Sequence, residues 1–232
     1  MKLAIIPARG GSKRIPRKNI RDFLGKPIIA YSIAAARSCG LFDRIIVSTD
    51  DEEIASVARG LGAEVPFMRP ATLSDDHTGT AAVVKHALQW FTAQGTPADF
   101  VCCIYATAPF VTAEDLTRGH DLLLASDKGY AFSVTSFGFS IQRALRVTKS
   151  GVEPFYPQHS ETRSQDLEEA YHDAGQFYWG RPAAFLGDAP LFSKAAIPVI
   201  LPRYRVQDID TIEDWQRAEF MYQALQMQRN LK

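Results

Sequence analysis

Residues 2–19 have the sequence Lys-Leu-Ala-Ile-Ile-Pro-Ala-Arg-Gly-Gly-Ser-Lys-Arg-Ile-Pro-Arg-Lys-Asn, in which an apolar run leads into a basic turn with two glycines. The run from Lys2 to Ala8 is short and almost wholly apolar, which is typical of a β-strand buried on both faces. A loop that directly follows such a strand lies at its carboxyl end, where open α/β sheets bind ligands. We therefore expect a buried first strand followed by a ligand-binding loop.

This loop has the composition of a phosphate site. Gly10 and Gly11 allow the backbone to approach an anion closely and to point amide groups at it. Around them lie five cations, namely Arg9, Lys13, Arg14, Arg17 and Lys18. The segment matches neither the Walker A pattern nor GxGxxG, which argues against P-loop ATPases and GTPases and against nicotinamide dehydrogenases. A solvated basic turn is the alternative interpretation, but the position directly behind a strand favours triphosphate binding.

The composition restricts the class of protein. The chain has 232 residues, 46% hydrophobic and 22% charged, which fits one soluble globular domain. Lys plus Arg equals Asp plus Glu at 26 each, so no overall basic field attracts nucleic acid. No apolar window approaches the ~18 residues of a membrane span. The three cysteines form no CxxC pair, and we expect reduced thiols in a cytoplasmic protein.

The first half of the chain alternates between strand and helix patterns. Strands are predicted at residues 2–8, 44–48, 64–68 and 100–105, and helices at residues 27–38, 51–61, 78–94 and 112–125. Such alternation indicates right-handed βαβ units. The expected fold class is therefore α/β, with a Rossmann-like, mostly parallel sheet flanked by helices.

The second half departs from this alternation. Strands are predicted at residues 131–135 and 144–148 with no helix between them, then a strand at 197–201 and a helix from about residue 211. Residues 137–178 are polar, aromatic and irregular, and they are too many for an ordinary loop. We expect a single domain over residues 1–232 with an excursion at about 137–178 that serves function or an oligomer contact.

Asp208 and Asp210 flank Ile209 after the last predicted strand. Residues two apart in an extended chain point the same way, so both carboxylates can converge on one cation. Mg²⁺ prefers one or two carboxylates together with phosphate oxygens and water, which suits a triphosphate substrate. The alternative is that Asp210 caps the next helix, because Thr211-x-x-Asp214 also has the pattern of a helix start.

Residues 6–19 resemble the opening signature of the sugar-acid cytidylyltransferases, the family that includes CMP-sialic acid synthetase. The resemblance continues through residues 42–50, Phe-Asp-Arg-Ile-Ile-Val-Ser-Thr-Asp, then Arg69-Pro70, and ends at Asp208-Ile209-Asp210-Thr211. It implies a nucleotidyltransferase-type fold and a homodimer built partly by the excursion. It also implies transfer of CMP from CTP to the anomeric hydroxyl of an acidic nine-carbon sugar, with release of pyrophosphate. In this family Asp208 and Asp210 would bind Mg²⁺.

The same resemblance implies the roles of individual residues. Lys18 is associated with the α-phosphate, and Asn19, Arg69 and Thr80 with the cytidine, Thr80 standing where sialate enzymes carry Ser. The implied catalytic residues are Lys18, Arg9 and Asp210. The general base stays open between His172, a metal-bound water and Asp210. The full expected CTP-binding set is Arg9, Gly10, Gly11, Ser12, Lys13, Arg14, Lys18, Asn19, Arg69, Asp75, Thr78 and Thr80.

The segment 163–178 bears on which acid is the acceptor. Residues 172–175 are His-Asp-Ala-Gly where sialate enzymes have Arg-Pro-Asn-Gly, and Gln142 stands where they have Lys. These losses of cations argue against sialic acid, and the residues present resemble the pseudaminic acid branch. Arg143 and Arg163 are the candidates to bind the sugar carboxylate, because Arg does so bidentately. The expected acceptor set is Gln142, Arg143, Arg163, Gln165, His172, Asp173 and Gln176.

Three alternatives remain at this point. The same reaction can act on sialic, legionaminic or 3-deoxy-octulosonic acid. A catalytically silent nucleotide-binding regulator is a different class, against which the intact Asp-x-Asp pair argues. A hexose-1-phosphate nucleotidyltransferase has a related fold but a different glycine-rich signature.

Overall fold

The computed structural model describes residues 1–187 and 190–230. Its strands in chain order are β1 (Lys2–Pro7), β2 (Asp22–Phe23), β3 (Lys26–Pro27), β4 (Arg44–Ser48), β5 (Phe100–Ile104), β6 (Tyr130–Ser136), β7 (Leu145–Thr148), β8 (Gly151–Pro154), β9 (Tyr171–Gly180) and β10 (Ala196–Ile200). Its α-helices are α1 (Ile29–Ser38), α2 (Glu52–Gly60), α3 (Thr80–Ala93), α4 (Ala113–Leu124), α5 (Pro182–Leu186) and α6 (Ile212–Asn230).

Six strands form the central sheet, in the order β10-β6-β9-β5-β1-β4. β1 pairs in parallel with β4 and β5, and β10 pairs in parallel with β6. β9 is antiparallel to both of its neighbours, β5 and β6. The predicted α/β fold with a mostly parallel sheet flanked by helices is thus confirmed, with one reversed strand in its middle.

Helices α2 and α4 each begin at a residue whose side chain caps the helix. Asp51 precedes α2 and accepts a hydrogen bond from Ile54 N, and two further acidic residues occupy the first turn of that helix. Thr112 caps α4 by accepting from Asp115 N, as the Thr-x-x-Asp pattern predicts. Local sequence therefore fixes the starts of both helices independently of the sheet.

Apolar side chains cover both faces of the sheet. One cluster packs α1 and α4 on the face that carries Phe177 and Trp179, and the other packs α3 on the face that carries Tyr178. A third cluster lies beyond the sheet, where α6 contributes Trp215 and Ala218. It also contains Ile15, from the loop that follows β1.

The predicted strand at residues 64–68 is wrong. This segment makes only two isolated bridges, Ile46 to Glu64 and Thr49 to Met68. Pro66 lies between them and has no N–H to donate, so a continuous ladder against β4 is interrupted there.

The predicted excursion at 137–178 ends too late. Residues 171–178 belong to β9, which is buried from Gln176 to Gly180 at the centre of the sheet. Phe177, Tyr178 and Trp179 place large side chains on both faces of this strand, as a central strand buried on both faces requires. What lies outside the main sheet is the shorter segment 137–170, which contains the β7–β8 hairpin.

Every helix within residues 1–187 and 190–230 is too short or too polar to span a membrane. The cysteines Cys39, Cys102 and Cys103 are free, and the last two are buried in β5. Burial raises the pKa of both buried thiols, so they behave as apolar core side chains.

The close packing of α4 on β9 can be tested at Gly119. A Cβ at this position would lie 2.9 Å from both the Phe177 and the Trp179 rings, which are buried and cannot move aside. We expect Gly119→Ala to destabilise the fold by about 1–3 kcal/mol in urea unfolding, despite the better helix propensity of Ala. The matched control is Gly60→Ala in α2, where a Cβ meets nothing within 4 Å. That variant should be neutral or slightly stabilising, and equal effects of the two would contradict the packing argument.

Candidate active site

The site forms at one edge of the sheet, where three parallel strands end side by side. β1 lies between β5 and β4, so the loops that follow Pro7, Ser48 and Ile104 emerge next to one another. This is the edge at which open α/β sheets bind ligands. The basic loop is therefore placed as the sequence predicts.

The third apolar cluster brings the two aspartates to this loop. Ile15 from the basic loop and Ile209 from between the aspartates are both 1% exposed and pack in the same cluster with Phe23 and Trp215. Their neighbours follow: Lys18 Nζ donates to Ile209 O at 2.7 Å and lies 3.4 Å from Asp210 Oδ1. The basic loop and the Asp-x-Asp segment thus meet across one cleft.

The cleft contains a cavity of about 360 Å³. Of the expected CTP-binding residues, all but Gly10 and Gly11 line it, together with Asp210. The lining is Pro7, Arg9, Ser12, Lys13, Arg14, Ile15, Lys18, Asn19, Arg69, Leu73, Asp75, Asp76, Thr78, Thr80, Val83, Tyr105, Ala106, Thr107 and Asp210.

The cavity lining contains neither of the two glycines of the loop. Gly10 N donates to Asp50 Oδ1 at 3.0 Å, and a Cβ on Gly10 would lie 2.7 Å from Asp51 Oδ2. Gly10 is therefore required for close contact between the loop and the end of β4, where a side chain would not fit. A Cβ on Gly11 meets nothing within 4 Å. That both amides bind phosphate stays a prediction.

Four cations of the loop are paired with aspartates at the cavity. Arg9 Nη1 lies 2.8 Å from Asp76 Oδ1, and Lys13 pairs with the same carboxylate. Arg14 Nη2 lies 2.7 Å from Asp210 Oδ1, which Lys18 also approaches. Asp76 was not expected from the sequence, because its choice of partners depends on how two loops meet in space.

Arg69 and Asn19 are buried polar residues in the cavity lining. Arg69 Nε donates to Ser74 Oγ at 3.1 Å, and Asp50 lies 3.6 Å from its Nη2. Burial lowers the pKa of the Arg69 guanidinium, and the charge of Asp50 opposes that shift. Asn19 Nδ2 donates to Arg9 O at 2.9 Å, so this side chain also fixes the shape of the loop.

Asp210 does not cap helix α6. Thr211 and Asp214 form a reciprocal box instead: Asp214 N donates to Thr211 Oγ1 at 3.2 Å, and Asp214 Oδ2 accepts from Thr211 N at 2.9 Å. The Asp210 carboxylate instead faces the cleft, where it pairs with Arg14 and Lys18, whereas Asp208 is not part of the cavity lining. Desolvation, and then the neighbouring charge of Asp210, raise the pKa of Asp208. The two carboxylates therefore repel each other, and a shared cation would relieve that repulsion.

His172 and Asp173 lie at the start of β9 and line a second cavity of about 500 Å³. Asp173 Oδ1 accepts from Gly175 N at 2.9 Å, and its Oδ2 accepts from Tyr178 OH at 2.6 Å. His172 Nδ1 lies 2.8 Å from Asp173 O, which can only accept, so Nδ1 carries the proton. The apolar wall of this cavity consists of Phe132, Val134, Phe192, Ala196 and Pro198.

Tyr105 and Tyr178 connect the two cavities. Tyr105 lines the first, and its hydroxyl lies 3.3 Å from Thr80 Oγ1. Its ring centroid lies 5.2 Å from that of Tyr178, which donates to Asp173. Burial, then the charges of Tyr105 and Asp173, raise the pKa of Tyr178 far above its usual range, so its hydroxyl stays a donor.

Neither tyrosine was assigned a role from the sequence. Tyr105 is the last residue of the fourth predicted strand, and that position at the carboxyl end of a parallel strand is a signal that could have identified it. Tyr178 offers no such signal until β9 is recognised as a central strand.

The other expected acceptor residues lie apart from these cavities, whose linings contain none of them. Arg163 pairs with Asp166 at 2.7 Å and is exposed, and Gln142 Nε2 donates to Glu168 O at 3.0 Å. Arg143 and Gln165 are exposed on the same excursion. Gln176 is 2% exposed, and its Nε2 donates to Arg205 O at 2.6 Å. Their contact with a sugar stays a prediction.

The amino-acid sequence is similar to those of known proteins over nearly its whole length. Pseudaminic acid cytidylyltransferase of Campylobacter jejuni subsp. jejuni serotype O:2 is 46% identical over 223 residues, which covers 96% of both chains. CMP-N,N'-diacetyllegionaminic acid synthase of Legionella pneumophila is 32% identical over 94% of both chains. Both match the chain nearly from end to end.

A solved structure supports the fold. CMP:2-keto-3-deoxy-manno-octonic acid synthetase, in complex with CTP, superposes with a TM-score of 0.69 over 98% of this chain and 99% of the other, at 16% identity. The sequence profile of the family described as "Cytidylyltransferase" matches residues 3–226. With a family match over almost the whole sequence and relatives of the same length, the chain belongs to the cytidylyltransferase family.

Proposed function

We propose that the protein transfers CMP from CTP to the anomeric hydroxyl of pseudaminic acid and releases pyrophosphate. The observation that carries the proposal is the meeting of the basic loop with the Asp-x-Asp segment, with Lys18 Nζ 2.7 Å from Ile209 O at the edge of the first cavity. Pseudaminic acid is favoured over other acids because the chain is 46% identical to the pseudaminic acid cytidylyltransferase of Campylobacter jejuni.

The nucleotide lies along the first cavity in this proposal. Arg69, Asn19 and Thr80 bind the cytidine, while Arg9, Lys13, Arg14 and Lys18 bind the phosphates. The cavity lining includes all seven side chains, which supports this division. Catalysis then rests on positioning and on neutralising charge that develops on the phosphates, with Lys18 at the α-phosphate.

Asp208 and Asp210 are the proposed ligands of Mg²⁺. Their mutual repulsion fits a site that is completed by a cation. Among the described residues no cluster of three or more His, Cys, Asp and Glu side chains has a metal-binding arrangement. In this proposal the protein contributes Asp208 and Asp210, and phosphate oxygens and water would fill the other positions. When bound, Mg²⁺ supplies charge neutralisation on the triphosphate.

The reaction forms a bond between the anomeric oxygen of the sugar and the α-phosphorus. The bond from this phosphorus to the bridging oxygen of the leaving pyrophosphate breaks, and the hydroxyl proton passes to a base. His172 is a suitable base, because protonation of Nδ1 leaves a lone pair on Nε2 of the neutral ring. Asp210 is the second candidate.

The acceptor occupies the second cavity in this proposal. Asp173 and His172 offer polar contacts to hydroxyl and amide groups, while Phe132, Val134 and Phe192 suit the methyl groups of acylamino substituents. Pseudaminic acid has both kinds of group.

A homodimer and a cytoplasmic location complete the proposal. The excursion exposes a patch of apolar side chains that a second copy of the chain would bury, and Arg143 and Arg163 lie on the same segment. Its most exposed members are Phe139, Leu145, Val147 and Val152. The three free thiols suit the reducing cytoplasm.

The function is tested by measuring pyrophosphate release from CTP with a panel of acids. Pseudaminic acid should give the highest kcat/KM, followed by legionaminic, sialic and 3-deoxy-octulosonic acids. ATP, GTP and UTP should replace CTP poorly. Faster turnover of another acid would reassign the acceptor, and no turnover with any acid would favour a silent nucleotide-binding regulator.

The metal assignment is tested with Asp210→Asn in the same assay at saturating Mg²⁺. Loss of one of two proposed carboxylate ligands should lower kcat by about 100-fold or more, while the unfolding midpoint stays near that of the parent. The control is Glu213→Gln, which alters an exposed carboxylate three residues away that pairs with Arg217. Full activity of Asp210→Asn would remove the metal assignment.

The role of Asp173 is tested with Tyr178→Phe, which removes only the hydroxyl that donates to this carboxylate. We expect the KM for the acid sugar to rise about tenfold with little change in the KM for CTP, because one charge-assisted hydrogen bond is lost. Tyr130→Phe is the matched control: this buried tyrosine donates to Ala184 O at 2.6 Å, from a strand end remote from the site. If both variants change the KM for the sugar equally, Asp173 does not bind it.

A further inference from the structure

We propose that Arg17 is a positioning residue whose ion pair with Asp51 holds the basic loop in the shape that presents Lys18 and Arg14 to the nucleotide phosphates. Arg17 is the loop cation that points away from the cavity. The proposal rests on the proposed function, since it assigns a role within the same site.

The pair is bidentate. Arg17 Nη1 donates to Asp51 Oδ2 at 2.5 Å and Nη2 donates to Asp51 Oδ1 at 3.0 Å, while Nη2 also contacts Glu53. Two parallel hydrogen bonds fix the direction of the guanidinium as well as its position. The lining of the 360 Å³ cavity contains neither Arg17 nor Asp51, so a ligand there need not displace the pair.

The backbone conformation at Arg17 explains why the loop needs the Arg17–Asp51 ion pair, which we call the tether. Arg17 adopts a left-handed conformation, with φ 55° and ψ 28°, which is unfavourable for a residue with a Cβ. The next residue, Lys18, begins a 3₁₀ turn, and its side chain runs in the other direction, to Ile209 O. The turn at Arg17 thus sends two consecutive cations to opposite sides of the loop, one to α2 and one to the cleft.

Asp51 is a firm anchor for the loop. Its Oδ1 also accepts from Ile54 N at 3.0 Å and so caps helix α2. The hydrogen bonds from Arg17 are the main cause that lowers the pKa of Asp51 to about 2, so the carboxylate stays charged at every working pH. Gly10 packs directly on the same carboxylate, which gives the loop a second contact there.

The tether matters most when the nucleotide binds. Lys18 and Arg14 pair with Asp210 in this structure, and both must exchange that carboxylate for phosphate oxygens. During the exchange, the Arg17–Asp51 pair keeps the backbone of the loop at the end of β4. A loop without this pair would have to be ordered by CTP itself, which weakens binding.

The test varies CTP and the acid sugar separately in Arg17→Ala, Arg17→Lys and Asp51→Asn. Asn caps a helix about as well as Asp, so Asp51→Asn keeps α2 capped and removes the charge. We expect Arg17→Ala and Asp51→Asn to raise the KM for CTP by about fivefold to twentyfold, since each loses a half-exposed bidentate pair. The KM for the acid sugar should change less than twofold. Arg17→Lys should recover part of the loss, and the double variant should be no worse than either single variant.

Two controls separate this proposal from general damage and from failure of the proposed function. Arg59→Ala breaks the exposed Arg59–Glu52 pair on the same helix and should leave both KM values unchanged. Hydrogen exchange of the loop amides should accelerate in Arg17→Ala but not in Arg59→Ala, and this readout needs no turnover. A parent enzyme without pyrophosphate release would refute the proposed function while the exchange data still decide the tether. An unchanged KM for CTP in Arg17→Ala, equal rises for both substrates, or unaltered loop exchange would each overturn the tether.

Discussion

The site depends on the burial of two isoleucines that are far apart in sequence. Ile15 and Ile209 share one apolar cluster with Phe23 and Trp215, and each is 1% exposed. Burial of two such side chains contributes about 3–6 kcal/mol, which exceeds what any exposed ion pair in the cleft supplies. Apolar packing therefore holds the cationic loop against the aspartates, and the charges follow. In the proposed reaction the cations change partner with each turnover, and apolar packing can hold the two segments together throughout because it does not depend on the charges.

Electrostatics in the cleft are balanced locally. Each loop cation faces a carboxylate: Arg17 pairs with Asp51, Arg9 and Lys13 with Asp76, and Arg14 and Lys18 with Asp210. The whole chain is neutral, with 26 residues of each sign, so no long-range field has to be overcome. In the proposed reaction, a triphosphate replaces carboxylates as the partner of cations that are already in place. Arg17 and Asp51 lie outside the cavity lining, so in this proposal their pair alone is kept throughout.

Much of the fold and part of the site follow from local sequence. Helices α2 and α4 begin one residue after their predicted starts, and the strands β1, β4 and β5 lie within the predicted apolar runs. The failures have physical causes of another kind. Pro66 breaks a strand that its neighbours favour, and β9 begins with the polar residues Tyr-His-Asp, which do not announce a central strand. Asp76, Tyr105 and Tyr178 escaped prediction because their partners lie on other loops and strands.

The reversed direction of β9 determines where His172 and Asp173, the proposed acceptor-binding residues, lie. In a purely parallel sheet, the amino end of a central strand lies opposite the ligand-binding edge. β9 runs antiparallel to β5 and β6, so its first residues lie beside the carboxyl end of β6, where His172 pairs with Thr135 and Asp173 with Val134. The register shifts between Phe132 and Val134, and Gly175 on β9 adopts φ +61°. Such irregularities re-aim side chains next to active sites. One reversed, irregular strand thus brings the second cavity to the same edge as the basic loop, as the proposed transfer between two substrates requires.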